Sequence, residues 1–328
     1  MTVLVTGGAG FIGANLVEAL LARGEKVRVY DLKADQAIDL AGQGADLITG
    51  NILAREELVA AMEGCDRVFH LAALLDLWQR DRSIYHQNNV EGTRNVLESA
   101  LEMGVSRVVH TSSATTVGEA DGEIGTEQTV RRAYFLSEYE RSKYLGEQVA
   151  LELYQRGLPI VILNPTSVYG PRQTVNVTGA IIRFLEGRLP VTVNSRLNYV
   201  YVGDVVEGQL SAMERGKIGE RYILGADNVP MVEFFSLAGE IAGIARRPRA
   251  VPGRLLRIIA TLLATSARLS GGRPAIAPDE ARTASHSFIM DTSKAQQELG
   301  LVWTPLRVGL ERTVNWLHQE SLVADAHV

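Results

Sequence analysis

One octapeptide constrains this chain more than any other feature: Thr6–Gly13, TGGAGFIG, with glycines at 7, 10 and 13. It follows the apolar run Thr2–Val5 and precedes Phe11–Arg23, where apolar residues recur at helical spacing until Gly24 acts as a stop. A strand, a glycine turn and a helix in that order leave the unpaired N–H groups of the helix start facing an anion. In this setting the GxxGxxG spacing answers the demands of a dinucleotide pyrophosphate: a tight turn, close backbone approach and close helix–sheet packing. Asp31 ends the next strand, Val27–Tyr30, 18 residues after Gly13. A carboxylate there accepts hydrogen bonds from the adenosine ribose hydroxyls and repels a 2′-phosphate. No arginine follows it directly, so NAD is expected rather than NADP.

Strand and helix patterns then alternate. Leu47–Ile48, Arg67–Ala73, Arg107–Ser113 and Pro159–Leu163 read as strands, and Glu91–Met103 and Ser142–Arg156 as helices. The pattern predicts an α/β fold, a Rossmann-type doubly wound parallel sheet covered on both faces. Beyond Pro165 the alternation weakens. A strand over Asn198–Val202, a helix near Asp204–Glu214, an irregular link Arg246–Pro252 and a helical stretch Leu255–Leu269 remain. Residues 1–165 are therefore expected to form the NAD-binding domain, with 198–224 returning to it. Residues 166–197 and 225–328 would form a smaller mixed α/β substrate-binding cap.

Composition narrows the function class. Of 328 residues 46% are hydrophobic and 22% charged, which excludes disorder as the main state. A net charge of −5 argues against a nucleic-acid partner, so a small-molecule substrate is expected. The single cysteine, Cys65, forms no internal disulfide and no cysteine metal cage, so no metal and a cytoplasmic location are expected. No apolar run approaches the roughly 20 residues of a membrane span, and the N-terminus lacks the basic region and cleavage site of a signal peptide.

A second motif carries chemistry. Tyr139-Glu-Arg-Ser-Lys143 opens a helix, and i,i+4 spacing puts Tyr139 and Lys143 on one face. A phenol with pKa ~10 is a poor base at neutral pH, but an adjacent ammonium and a positive nicotinamide favour the phenolate. Ser113 stands 26 residues before Tyr139 at a strand's carboxyl end, where open α/β sheets bind ligands. It is placed to hydrogen-bond the substrate oxygen that Tyr139 protonates or deprotonates.

Together these segments resemble the extended short-chain dehydrogenase/reductases. TGGAGFIG, His70–Ala73 (HLAA), Asn88–Thr93 (NNVEGT), TSSAT at 111–115, YERSK at 139–143 and NPTSVYGP at 164–171 follow that family's order. The resemblance runs through DTSKAQQELG at 291–300 and is strongest to dihydroflavonol-4-reductase-like, 3β-hydroxysteroid dehydrogenase-like and hopanoid-associated sugar epimerase proteins. It implies that Gly7, Gly10, Phe11, Ile12 and Gly13 hold the pyrophosphate and Asp31 the ribose. Asn51 and Ile52 would flank the adenine, although aspartate often stands where this chain has Asn51. Leu71, Ala72, Ala73 and Thr111 would line the cofactor, with Asn89 beneath it. Ser113, Tyr139 and Lys143 would form the catalytic trio. Asn164, Pro165 and Val168 would sit near the nicotinamide, and Ser113, Asn164 and Tyr169 would meet the substrate. A homodimer through helices over Glu91–Met103 and Ser142–Arg156 is also implied.

Two departures matter. Ala114 and Thr115 follow Ser113 where sugar-nucleotide dehydratases carry an acid, which argues against dehydration. Leu197 precedes the aromatic strand where sugar-nucleotide epimerases place an arginine. Arg196 is one position off, which in a strand means the opposite face. Among weaker features, His70, His110 and Cys65 read as core residues, and the arginines at 246, 247, 249, 254 and 257 as a solvated link, with contact to an anionic substrate group or lipid headgroup as the alternative. Ile258–Ala264 reads as a core or pocket-wall helix, with a membrane-touching lid as the alternative. The leading function is an NAD-dependent oxidoreductase acting on a secondary alcohol or ketone. The alternatives are an NAD-retaining sugar epimerase and a non-catalytic NAD-bound regulator.

Overall fold

The computed structural model describes residues 2–270 and 272–323. Its main sheet has seven parallel strands: β1 (Thr2–Thr6), β2 (Lys26–Asp31), β3 (Asp46–Thr49), β4 (Cys65–His70), β5 (Arg107–Thr111), β6 (Ile160–Pro165) and β7 (Arg221–Leu224). They lie in the order β7-β6-β5-β4-β1-β2-β3. The order reverses between β1 and β4, and a sheet of this Rossmann type opens its ligand crevice at that point, beyond the carboxyl ends.

The period of two along each strand sorts the core onto two sides. Val3 and Val5 of β1 pack with Leu16, Val17 and Leu20 of the first helix, Phe11–Ala22. Leu4, between them, joins Val68, Leu97, Val108, Val149 and Ile160 on the other side. All are buried, each contributing about 1.5–3 kcal/mol. Covering both faces is what makes the strands read as unbroken β-branched runs.

Two helices start earlier than their apolar periodicity suggests. The helix before β5 begins at Ser83 and passes through a π turn, Gln87–Glu91, into Gly92–Glu102. The wide turn changes the helical phase and turns Asn89 inward, which hides the period. The helix carrying the YxxxK motif spans Glu138–Gln155 rather than Ser142–Arg156. Ser137 caps it, accepting from Glu140 N at 3.1 Å, and Glu138 and Glu140 complement the positive helix end.

The cap holds a three-stranded sheet in which Arg196–Tyr201 lies between Ser167–Tyr169 and Asp227–Pro230. Within 198–224, the Val202–Arg215 helix packs on the main core and β7 extends the main sheet. The strand that precedes them pairs in the cap sheet instead. The link 246–252 contains a strand, Arg249–Val251, paired with Val191–Val193. Helices Asn176–Leu185 and Met231–Ile241 bury Ile181, Phe184, Phe234 and Phe235 against Tyr169 and Tyr199 to form the cap core. Among the described residues no helix is long and apolar enough to cross a membrane.

Candidate active site

The glycine turn closes on itself. Gly7 adopts φ +74°, and a Cβ there would lie 2.5 Å from Ala72 N. One at Gly13 would lie 2.1 Å from Gly7 O. Neither gap admits a side chain, so only glycine lets the first helix start this close to the sheet. Gly10 occupies the helix cap without any side-chain cap bond, which leaves the amides at Phe11, Ile12 and Gly13 for an anion. Asp31, at the end of β2, accepts from Ala9 N at 3.1 Å and from Lys33 N at 3.0 Å. Its carboxylate thus stands beside the glycine turn.

The expected adenine side follows β3. Asn51 accepts from Leu53 N through Oδ1 at 2.9 Å, and its carbonyl takes the Tyr30 hydroxyl at 3.0 Å. Ile52 is buried and its carbonyl accepts from Asn95 Nδ2 at 3.0 Å. Leu71 N donates to Thr6 O at 3.0 Å, which sets Leu71 and Ala72 against the glycine turn. A cradle that any Cβ would fill, an uncapped helix start and a strand-end carboxylate fit the dinucleotide.

Beyond β5 the chain turns so that Ser113 caps the short turn Ala114–Thr116. Ser113 Oγ accepts from Thr115 N at 3.3 Å and from Thr115 Oγ1 at 2.9 Å. It also acts on the phenol of Tyr139, favouring the ionised form. One helical turn on, Lys143 Nζ donates to Thr111 O at 2.9 Å, while Thr111 Oγ1 accepts from Gln209 Nε2 at 2.7 Å. Burial pushes the Tyr139 phenol up to about 12, with Ser113 pulling against it. Burial brings Lys143 down to about 8, with Glu147 opposing. The sequence predicts a phenol lowered by Lys143, and the protein by itself does not show this. Desolvation outweighs the ammonium, which is held on Thr111 O.

Sequence reasoning missed the buried support behind the trio. Glu147 follows Lys143 by four residues on the same helix face. Its Oε2 accepts from Ser112 Oγ at 2.6 Å and Asn164 Nδ2 at 2.8 Å, and its Oε1 from Arg221 Nη1 at 3.1 Å. Asn164 Nδ2 also lies 3.1 Å from Ser113 O. The sheet's far edge is thereby tied to the Ser113 turn. Only the i,i+4 offset from Lys143 signalled Glu147; its partners come from distant strands.

Several expected contacts fall elsewhere. Asn164 is fully enclosed, its Nδ2 engaged with Glu147, Thr116 and the Ser113 carbonyl, while its Oδ1 finds no partner among the described residues. Tyr169 is buried in the cap core, edge-on to Tyr201 and Phe234, and does not line the cleft. Asn89 grips Leu74 through both backbone groups and reaches Ser142 Oγ at 2.9 Å, a structural clamp. Pro165 is buried at the end of β6, Val168 packs against the main core, and Ala73 is exposed. His70 and His110 are buried and stack with ring centroids 5.1 Å apart. Trp78 and Tyr85 do line a cavity of about 580 Å³, with Leu77, Ala264, Ala267 and Pro274. Its wall residue Asp279 accepts from Glu138 N at 3.1 Å, which places the cavity against the start of the Tyr139 helix.

Residues 3–225 match the NAD dependent epimerase/dehydratase family. Over 98% of this chain and all of its own length, sterol demethylase protein B of Methylococcus capsulatus is 34% identical. The 3 beta-hydroxysteroid dehydrogenase type 7 of Mus musculus is 31% identical over 96% of this chain and 95% of its own. The crystal structure of UDP-glucose 4-epimerase from Thermotoga maritima superposes with a TM-score of 0.81 at 25% identity, covering 98% of this chain and 100% of that one. Structures of related fold have been determined with NAD bound. The chain belongs to the NAD-dependent epimerase/dehydratase family, and NAD is its cofactor.

Proposed function

We propose that this protein is an NAD-dependent oxidoreductase that interconverts a lipophilic secondary alcohol and its ketone, with Ser113, Tyr139 and Lys143 as catalytic residues. The observation that carries the reading is the placing of all three residues about the carboxyl end of β5, Lys143 on Thr111 O and Tyr139 beside Ser113, with a cavity of mixed apolar and charged walls against the start of the Tyr139 helix. Gly7, Gly10, Phe11, Ile12 and Gly13 would hold the pyrophosphate, Asp31 the ribose, and Asn51, Ile52, Leu71, Ala72 and Ala73 the adenosine side. When bound, the dinucleotide supplies or accepts the hydride at the substrate carbon.

The chain's own part is proton transfer and positioning. A phenol pushed up to about 12 is protonated at neutral pH, so Tyr139 stands as the acid for a carbonyl oxygen becoming an alkoxide. An alkoxide is more basic than a phenolate, and the proton moves downhill. Ser113 Oγ, steered by Thr115, hydrogen-bonds the same oxygen. Lys143 favours the phenolate left behind, and Tyr139 acts as the base in the reverse direction.

Two observations favour a lipophilic ketone over a nucleotide sugar. Arg82 and Arg282, two of the three arginines at the cavity, already pair with Asp279. Arg196 is exposed, while its neighbour Leu197 packs into the cap. The names of the sterol and hydroxysteroid relatives point the same way. A homodimer in a reducing cytoplasm completes the reading. In the decisive assay, sterol, flavonoid and polyketide ketones and nucleotide sugars are each incubated with NADH. Stoichiometric NADH oxidation with a ketone is expected. Conversion of a nucleotide sugar with no net NADH change, and no ketone turnover, would overturn the proposal in favour of an epimerase.

A further inference from the structure

The helix Gly253–Ser270 turns two unlike faces. On the inner face Ala260 is buried, and Ala264 and Ala267 line the cavity opposite Trp78 and Tyr85. The outer face carries Leu255, Ile258, Ile259 and Leu262, at the i, i+3, i+4, i+7 positions of one helical stripe. They are 46%, 60%, 40% and 66% exposed, so the stripe is not the core element that its apolar sequence suggests. Four large aliphatic side chains in one open stripe form a contiguous patch, unlike the single exposed residues common on soluble surfaces.

The charge beside the stripe is of one sign. Arg254 borders it on one side, exposed Arg257 lies further round the helix, and exposed Arg247 and Arg249 lie in the link that feeds the helix. The helix sequence contains no acidic residue. Among the described residues none of these four arginines forms an ion pair within 4.0 Å, whereas Arg82, Arg282, Arg172 and Arg307 all do. A second copy of the chain seated face to face would bring these cations together, which disfavours a self-complementary contact. An aliphatic ridge bordered by uncompensated guanidinium groups matches the boundary between acyl chains and anionic headgroups.

We propose that this face docks on an anionic lipid surface. The helix lies in the plane of the leaflet, Leu255, Ile258, Ile259 and Leu262 enter the headgroup–acyl boundary, and Arg254, at the stripe's edge, meets lipid phosphates. The cavity then sits one helix diameter, about 10 Å, behind the lipid surface. That position makes a lipid-dissolved molecule the substrate class, a consequence that rests on the oxidoreductase reading; the docking itself does not.

The test is sedimentation of the full chain with vesicles, without cofactor or substrate, so its outcome is separate from any failure to find a ketone. Vesicles of phosphatidylcholine with about one-third phosphatidylglycerol should pellet the protein, and pure phosphatidylcholine should pellet at least tenfold less. Ile258→Asp/Leu262→Asp, both on the open face, should reduce pelleting at least tenfold while the melting temperature and NAD binding stay unchanged. Arg249→Gln/Arg254→Gln should weaken binding to the anionic vesicles severalfold and flatten its salt dependence. Wild-type protein that stays in the supernatant with both compositions would overturn the proposal. So would an Asp variant that pellets as well as wild type. Failure to pellet combined with a dimer in light scattering that the Asp substitutions dissolve would assign the face to a second copy instead.

Discussion

Protonation of the buried histidine pair is expected to dominate this protein's acid sensitivity. His70 is buried, bonded to Thr6 Oγ1 at 2.7 Å and Thr93 Oγ1 at 3.1 Å, and burial with the nearby Lys143 charge brings it down from 6.5 to about 3. His110 stacks on it, finds no partner for either ring nitrogen among the described residues, and is also pushed well below 6.5, chiefly by burial. Both folded pKa values are depressed, so the unfolded chain binds more protons below pH 6.5, and stability falls as the pH falls. For His70 the loss runs from about 6.5 down to about 3. His70 contributes a slope of about 1.4 kcal/mol per pH unit, or about 2 kcal/mol at pH 5, a sizeable part of a typical margin of 5–15 kcal/mol, and His110 adds a loss in the same direction. His110→Leu replaces a ring without hydrogen bonds by an apolar side chain of similar volume. It should be neutral or stabilising at pH 7.5. Urea unfolding at pH 7.5 and pH 5.0, with equal m-values, reads the effect: the variant should lose measurably less stability than wild type. Carboxylates titrate alike in both proteins and cancel. Equal losses would show that His110 titrates normally and refute the argument from burial.

Other consequences are as direct. Tyr139→Phe should leave NAD binding intact by fluorescence titration and lower turnover on a verified substrate by at least about a hundredfold; full activity would remove Tyr139 from its role. NADH should bind at least about tenfold more tightly than NADPH, since Asp31 would face the 2′-phosphate, and titration of Asp31→Ala should show that gap narrowed. Glu147→Gln leaves Arg221 without its buried partner and should destabilise by about 2–4 kcal/mol in urea unfolding. Light scattering at micromolar concentration should report a dimer.

The legible parts of this protein are those whose physics is local. Glycine at 7 and 13 is demanded by a turn of eight residues, and Tyr139 and Lys143 share a face because a helix has a fixed period. Strands covered on both faces announce themselves as apolar runs, so the sheet and its crevice follow from the chain order. The cap was not legible in the same way. Its helices Asn176–Leu185 and Met231–Ile241 are stabilised by aromatic packing between distant segments, as when Tyr199 stacks on Phe234 with centroids 3.8 Å apart. Neither the π turn that aims Asn89 inward nor Glu147's link from Arg221 to Ser112 has a short-range signature.

The sequence by itself determined the dinucleotide fold and the shared face of Tyr139 and Lys143, because each depends on spacings within one turn, strand or helix. Tertiary structure alone decided which residues reach the cleft. It enclosed Asn164 and Tyr169, which the sequence offered to the substrate, and in Ile258–Ala264, read as a core or pocket-wall helix, it exposed Ile258, Ile259 and Leu262 while setting Ala264 in the cavity wall. The physical reason is that burial is set by whichever distant element covers a surface. An apolar stripe tells only that something covers it.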